Sequence, residues 1–119
     1  MSQMKFTSIC PIFQVSDLER SLDFYTRVLD FEPGWKAGEP PDIASVCRDA
    51  VEIMISVYAT PVRSHAYVQV DGIDAYFERV VAAGAKVVVP LANRSYGMRD
   101  GRIEDPDGNQ LSLGQSTEP

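Results

Sequence analysis

The stretch that decides the fold is "HAYVQVDGIDAYFERVVAAGA", His65 to Ala85. It opens on the alternating, aromatic and β-branched run HAYVQV, which reads as a strand. It continues into DGIDAYFERVVAAGA, where Ile73, Phe77 and Val80 share a helical stripe and Gly84 supplies a C-cap. The same order occurs earlier. "ICPIFQV" (Ile9 to Val15) alternates like a strand. "SDLERSLDFYTRVLDF" (Ser16 to Phe31) follows, with Ser16 or Asp17 as N-cap and Leu18, Leu22, Tyr25 and Leu29 as its apolar stripe. A shift of 55 positions lays Cys10 on His65, Phe13 on Val68, Val15 on Val70, Leu18 on Ile73 and Leu22 on Phe77. Apolar positions coincide while identities differ, the pattern of a duplicated unit.

Each helix is followed by strands. After the first, "EPGW" (Glu32 to Trp35) ends the helical pattern, and "DIASVCR" and "VEIMISVYA" read as strands around an Asp49-Ala50 turn. "TPVRS" (Thr60 to Ser64) is a linker. After the second helix come the strands "KVVVP" and "MRDGRIE", the tight turn "DPDGN" (Asp105 to Asn109), and the last strand "QLSLG". The expected architecture is α+β: two βαβββ modules, over about residues 5–60 and 64–115, within a single domain 1–119.

Composition narrows the function. The formal charge is −6, from 17 acidic and 11 basic side chains, the wrong sign for tracking phosphates, so no nucleic-acid partner is expected. An acidic field gives a weak, screened bias toward cationic small molecules. No apolar run has the length of a membrane span, and "MSQMKFTSIC" has no signal-peptide hydrophobic region, so no membrane partner and a cytoplasmic location are expected. Cys10 and Cys47 are too few for a disulfide framework and read as reduced thiols.

"VSDLERSLDFYTRVLDF" resembles the first-helix signature of the glyoxalase / bleomycin-resistance / extradiol-dioxygenase (vicinal oxygen chelate) superfamily. "YGMRDGRIEDPDGNQLSL" resembles its C-terminal signature. The two motifs and the repeat cover the chain from about Ile9 to Gly114. The resemblance implies paired βαβββ modules curled around a concave cleft, and a homodimer with modules exchanged or side by side. It further implies that the metal ligands of the metalloenzymes correspond here to Cys10, Met54, His65 and Ser112. A divalent cation in such a site wants imidazole and carboxylate donors. His65, the one histidine, qualifies. Ser112 stands where a glutamate is usual, Met54 is a soft thioether, and Cys10 serves only as a thiolate. No metal and no cofactor are therefore expected, with His65 the one plausible ligand. The plain reading of His65 is a neutral imidazole lining a pocket.

Strand parity sorts side chains into two faces. Ile9, Phe13, Val15, Ile53, Ile55, Val68, Val70, Leu111 and Leu113 form an apolar set to pack under the helices. The opposite face is mixed and carries Gln14, Met54, Tyr58, His65, Tyr67 and Gln69. Asp100, Arg102 and Glu104 lie on the strand before DPDG, where family members often contact ligands. Trp35 either stacks on a flat ligand or seals the first module. The expected ligand-binding set is thus Gln14, Trp35, Met54, Tyr58, His65, Tyr67, Gln69, Arg102 and Glu104. Catalytic residues are not assigned. The expectation is a small-molecule binder closest to the metal-free bleomycin-resistance-like members, holding a cationic or aromatic ligand. The alternative is a metal-dependent lyase, isomerase or dioxygenase using His65.

Overall fold

The computed structural model describes residues 3–118 and resolves them into two units of one design. Module one comprises β1 (Ile12–Val15), α1 (Leu18–Asp23), a π-helical turn (Phe24–Val28), β2 (Glu32–Ala37), β3 (Ile43–Arg48) and β4 (Val51–Val57). Module two comprises β5 (His65–Gln69), α2 (Ile73–Ala82), β6 (Lys86–Asn93), β7 (Met98–Glu104) and β8 (Gln110–Ser116). Each builds an open four-stranded sheet, ordered β1-β4-β3-β2 and β5-β8-β7-β6. In both, the outer first strand runs parallel to the last and the other pairs are antiparallel. The helices start at Leu18 and Ile73, fifty-five positions apart, as the repeat requires.

Local chemistry explains the helix ends. Asp17 caps α1 by accepting the Arg20 backbone N–H at 3.0 Å. Four turns of regular helix do not follow. The Leu29 N–H reaches back to the Phe24 carbonyl at 3.1 Å, and the Thr26 hydroxyl donates to the Leu22 carbonyl at 2.7 Å. That side-chain bond competes with the backbone ladder and accompanies the widened turn. The cap of α2 comes from a distant strand: Gln115 Oε1 accepts the N–H groups of Gly72 and Ile73 at 3.1 and 3.0 Å. Gly72 takes φ 78°, a conformation that glycine adopts without a side-chain clash.

Two expectations need correction. "EPGW" does not merely end a helix; it begins β2, the second strand of module one. Its proline is tolerated because β2 is an edge strand, paired only with β3, and a register shift between Pro33 and Lys36 relieves the ladder. Ile9 does not share the buried face of β1, for it is 95% exposed and the strand begins at Ile12.

One core joins the modules. Phe13, Val15, Val46, Ile53 and Ile55 from module one, and Ile73, Phe77, Val80, Ile103, Leu111 and Leu113 from module two, are all buried in it. Each such large side chain contributes roughly 1.5–3 kcal/mol of burial. Polar bonds fix the relative placement of the two sheets. Tyr25 donates to Asp105 Oδ2 at 2.9 Å, Tyr76 donates to the Leu29 carbonyl at 2.7 Å, and Asn109 Nδ2 donates to the Gln14 carbonyl at 2.9 Å. The DPDGN turn is therefore an inter-module clasp as well as a hairpin. Among the described residues no helix is long and apolar enough to cross a membrane.

Candidate ligand-binding site

The mixed face of module two is a grid set by strand pairing. Its ranks across β5, β8 and β7 are His65–Gln110–Glu104, Tyr67–Ser112–Arg102 and Gln69–Gly114–Asp100. Gly114 is the gap in this grid. A Cβ there would collide with the Tyr67 hydroxyl and lie 2.8 Å from Asp100 Cβ, so glycine lets the phenol reach diagonally to Asp100. Gly101 does the same for the opposite face, where a Cβ would meet the Phe77 ring at 2.7 Å.

Asp100 is the organising group. It is 6% exposed, and its carboxylate accepts from Tyr67 Oη at 2.9 Å, Tyr96 Oη at 2.7 Å and Arg94 Nε at 3.0 Å. Burial opposes its charge, but the donors from Tyr96, Tyr67 and Arg94 prevail and hold the carboxyl below the usual carboxylate range. The Tyr67 phenol is pushed up to about 12, by burial first and then by its bond to Asp100. Tyr96 is raised mainly by its own bond to that carboxylate.

A second chain of bonds runs beside it. Arg102 Nε donates to Ser112 Oγ at 3.3 Å, Arg102 Nη1 donates to Gln110 Oε1 at 3.3 Å, and Ser112 Oγ lies 2.7 Å from His65 Nε2. An arginine only donates, so the serine oxygen accepts from it. A hydroxyl has a second lone pair as well as its proton, so Ser112 and His65 Nε2 satisfy each other in either imidazole tautomer. Burial and then the Arg102 charge lower the His65 pKa, so the ring is neutral at pH 7.

These groups enclose a cleft of about 330 Å³ lined by His65, Tyr67, Arg94, Tyr96, Asp100 and Arg102, with Val89, Gly101 and Ser112. A larger cavity of about 660 Å³ lies between the β3–β4 turn and α2. There the cations are already satisfied, since Arg48 and Arg79 both pair with Asp30 and Arg48 lies 5.3 Å over the Tyr76 ring.

Of the nine residues expected to bind ligand, the structure gathers His65, Tyr67 and Arg102 in the smaller cleft. Gln69 lines the larger cavity instead. Gln14 gives its side-chain oxygen to the Val62 N–H at 2.9 Å and so fastens the linker. Glu104 pairs with Lys86 at 3.3 Å. Met54 is half-buried on module one, and Trp35 and Tyr58 are 43% and 47% exposed; none of the three lines either cavity. Every lining residue of the smaller cleft belongs to module two, so a cleft shared by both halves is not completed within one chain. Arg94 and Tyr96 went unassigned in the sequence. Their signal was an arginine and an aromatic flanking the turn just before a strand that carries Asp100 and Arg102.

The positions corresponding to the family's metal ligands do not fit a hard divalent cation. Ser112 is committed between Arg102 and His65, a guanidinium stands beside the imidazole, and the Cys10 thiol donates to the Glu52 carbonyl at 3.3 Å. Burial raises the Cys10 pKa further from thiolate. Among the described residues no three His, Cys, Asp or Glu side chains are grouped to hold a metal ion.

Comparison with known proteins agrees with this architecture. An uncharacterised protein of Mycobacterium bovis is 28% identical over 127 residues, covering 91% of this chain and 82% of its own. The crystal structure of TioX from Micromonospora sp. ML1 superposes with a TM-score of 0.83 at 20% identity, over 93% of this chain and 99% of that one. The bleomycin-binding protein of Streptomyces verticillus, solved with copper(II)-bleomycin, superposes with a TM-score of 0.76 at 22% identity, over 93% and 97%. The family model for the glyoxalase/bleomycin resistance protein/dioxygenase superfamily matches residues 7–113, and the chain belongs to that superfamily.

Proposed function

We propose that this chain binds a small organic molecule in the module-two cleft, sequestering it without a metal ion. The observation that carries the reading is the Asp100 knot. A buried carboxylate holds two phenols and a guanidinium in place around a hollow of about 330 Å³. Pre-ordered aromatic walls lower the entropic cost of binding, and a few placed polar groups set orientation. The S. verticillus protein supplies a precedent for ligand holding on this fold. We further propose a homodimer, because the cleft has walls from module two alone and a second copy would supply the missing side.

Two measurements test this. A thermal-shift screen of small aromatic compounds should find ligands that stabilise the chain, by about 2.7 kcal/mol at a hundredfold excess over Kd. Metal analysis after incubation with zinc, manganese and iron should find no stoichiometric tight metal. Tight metal that disappears in His65→Ala would overturn the reading in favour of a metal-dependent lyase, isomerase or dioxygenase. Sedimentation equilibrium checks the dimer.

A further inference from the structure

Within the cleft, charge is distributed unevenly. Seven of the cationic side chains have a carboxylate partner: Arg20, Arg27, Arg48, Arg79, Lys86, Arg94 and Arg99. Among the described residues the other four are Lys5, Lys36, Arg63 and Arg102. Three of these are exposed to water; Arg102 alone is half-buried and without a carboxylate within ion-pair distance. A chain with 17 acidic residues does not lack candidates to neutralise it. Its neighbours offer only the neutral oxygens of Ser112 and Gln110, each at 3.3 Å. The nearby Asp100 carboxylate is already taken by Tyr67, Tyr96 and Arg94, and Glu104 by Lys86.

Hydrogen-bond supply points the same way. The Asp100 carboxylate already takes three donors, the serine oxygen accepts from Arg102, and the serine hydroxyl and His65 Nε2 satisfy each other. What remains without a partner is Arg102 Nη2. With Arg94 and Arg102 set against Asp100, the cleft carries a net local charge of one positive unit. A planar guanidinium in this state matches a two-oxygen anion, because its parallel N–H groups bind such an anion in fork fashion. Partial burial strengthens that pairing relative to water.

We propose that the ligand carries an oxyanion, a carboxylate or a phosphonate, which Arg102 binds with His65 beside it. An attached aromatic or apolar body would lie against Tyr67 and Tyr96, which are 44% and 64% exposed. The proposal rests on the reading of this cleft as a small-molecule site. It reverses the preference for cations that the chain-wide charge of −6 suggests, because the field at contact distance is set by the nearest groups.

The test uses the full chain and four probes of similar size: benzoate, phenylphosphonate, benzylamine and benzamide. Because His65 is the one histidine, its imidazole proton resonances report the cleft without ambiguity. Benzoate or phenylphosphonate should shift these resonances saturably and raise the His65 pKa, since a negative charge nearby favours the imidazolium. Arg102→Gln should weaken that binding at least tenfold, and Arg102→Lys should recover only part of it. The two anions, compared directly, distinguish a carboxylate site from a phosphonate site. Tighter or equal binding of benzylamine or benzamide would overturn the proposal and leave the small-molecule reading standing. Anion binding unaffected by either Arg102 variant would overturn it too. If no probe of any charge binds, the small-molecule reading itself falls. Should Arg102→Gln fail to fold, Arg102→Lys and the wild-type imidazole shifts still decide.

Discussion

Replacing Tyr25 with phenylalanine deletes one hydroxyl and leaves the packing of the ring unchanged. The ring is fully buried, so water cannot take the hydroxyl's place, and the group it serves, Asp105, is 7% exposed. Asp105 has four donors. Tyr25 Oη at 2.9 Å and Asn109 Nδ2 at 3.0 Å share Oδ2, while the backbone N–H groups of Asp107 and Asn109, each at 2.9 Å, share Oδ1. Losing one charge-assisted bond to a buried carboxylate should cost about 1.5–3 kcal/mol at pH 7. The cost should also depend on pH. Burial pushes the Asp105 carboxyl up, and its donors from Asn109 and Tyr25 do not fully offset this. With a folded pKa above the unfolded one, the ionised carboxylate weighs against the fold above the folded pKa. That penalty vanishes as pH falls from the folded value toward the unfolded one. Removing the tyrosine donor raises the folded pKa further, so the variant's deficit should be largest at pH 7 and should shrink on acidification. Urea unfolding followed by circular dichroism, at pH 7 and at about pH 4, near the unfolded carboxyl's own pKa, measures both. A deficit below about 0.5 kcal/mol at pH 7, or one equal at both values, would refute the account of the clasp.

Two further substitutions probe the cleft. Gly114→Ala should displace the Tyr67 phenol from Asp100 and cost about 1–3 kcal/mol through overpacking, measured by the same urea titration. Asp100→Asn should bring the Tyr67 phenol down from about 12 and lower Tyr96 as well, because both bonds then end on a neutral group. Alkaline titration of the tyrosinate absorbance reads this; an unchanged curve would contradict the Asp100 network.

The sequence reveals most where periodicity and burial coincide. Leu18, Tyr25 and Leu29 in one module, and Ile73, Phe77 and Val80 in the other, are buried as their spacing predicts. β2 stayed hidden because Pro33 and Gly34 are turn residues by every local measure, and only the edge position of the strand excuses them. The π-helical turn depends on where Thr26 sends its hydroxyl, which no apolar pattern encodes. In the cleft, His65 and Tyr67 were legible because period-two parity puts them on one face of β5, and Arg102 because the family resemblance marks the strand before DPDG. Arg94 and Tyr96 were not, since hairpin side chains obey no such period. Net charge says little about the cleft for a related reason. It sums the whole surface, whereas the cleft is governed by the few groups that Asp100 leaves neutralised and the one that it does not.

Strand pairing also makes the two modules comparable rank by rank. The rank Tyr67–Ser112–Arg102 of module two corresponds to Ile12–Met54–Ser45 of module one, and Gln69–Gly114–Asp100 corresponds to Gln14–Ser56–Ile43. On the opposite face, Leu111, Leu113 and Ile103 correspond to Ile53, Ile55 and Val46, all buried. The core face has kept its chemistry because a polar residue there would be desolvated without partners. The mixed face was free to differ, and it has. Where module two has a carboxylate and a guanidinium, module one has an isoleucine and a serine, so these ranks carry no charged group to order phenols or hold an anion. The duplication therefore does not yield two equivalent sites. It yields one polar cleft on module two and, at the matching place on module one, a softer surface of Ile12, Ile43 and Met54 suited to walling a ligand in. If a second copy closes the cleft with its module-one sheet, that is the surface it presents. Replacing Met54 with a charged residue would then weaken ligand binding without touching the Asp100 network.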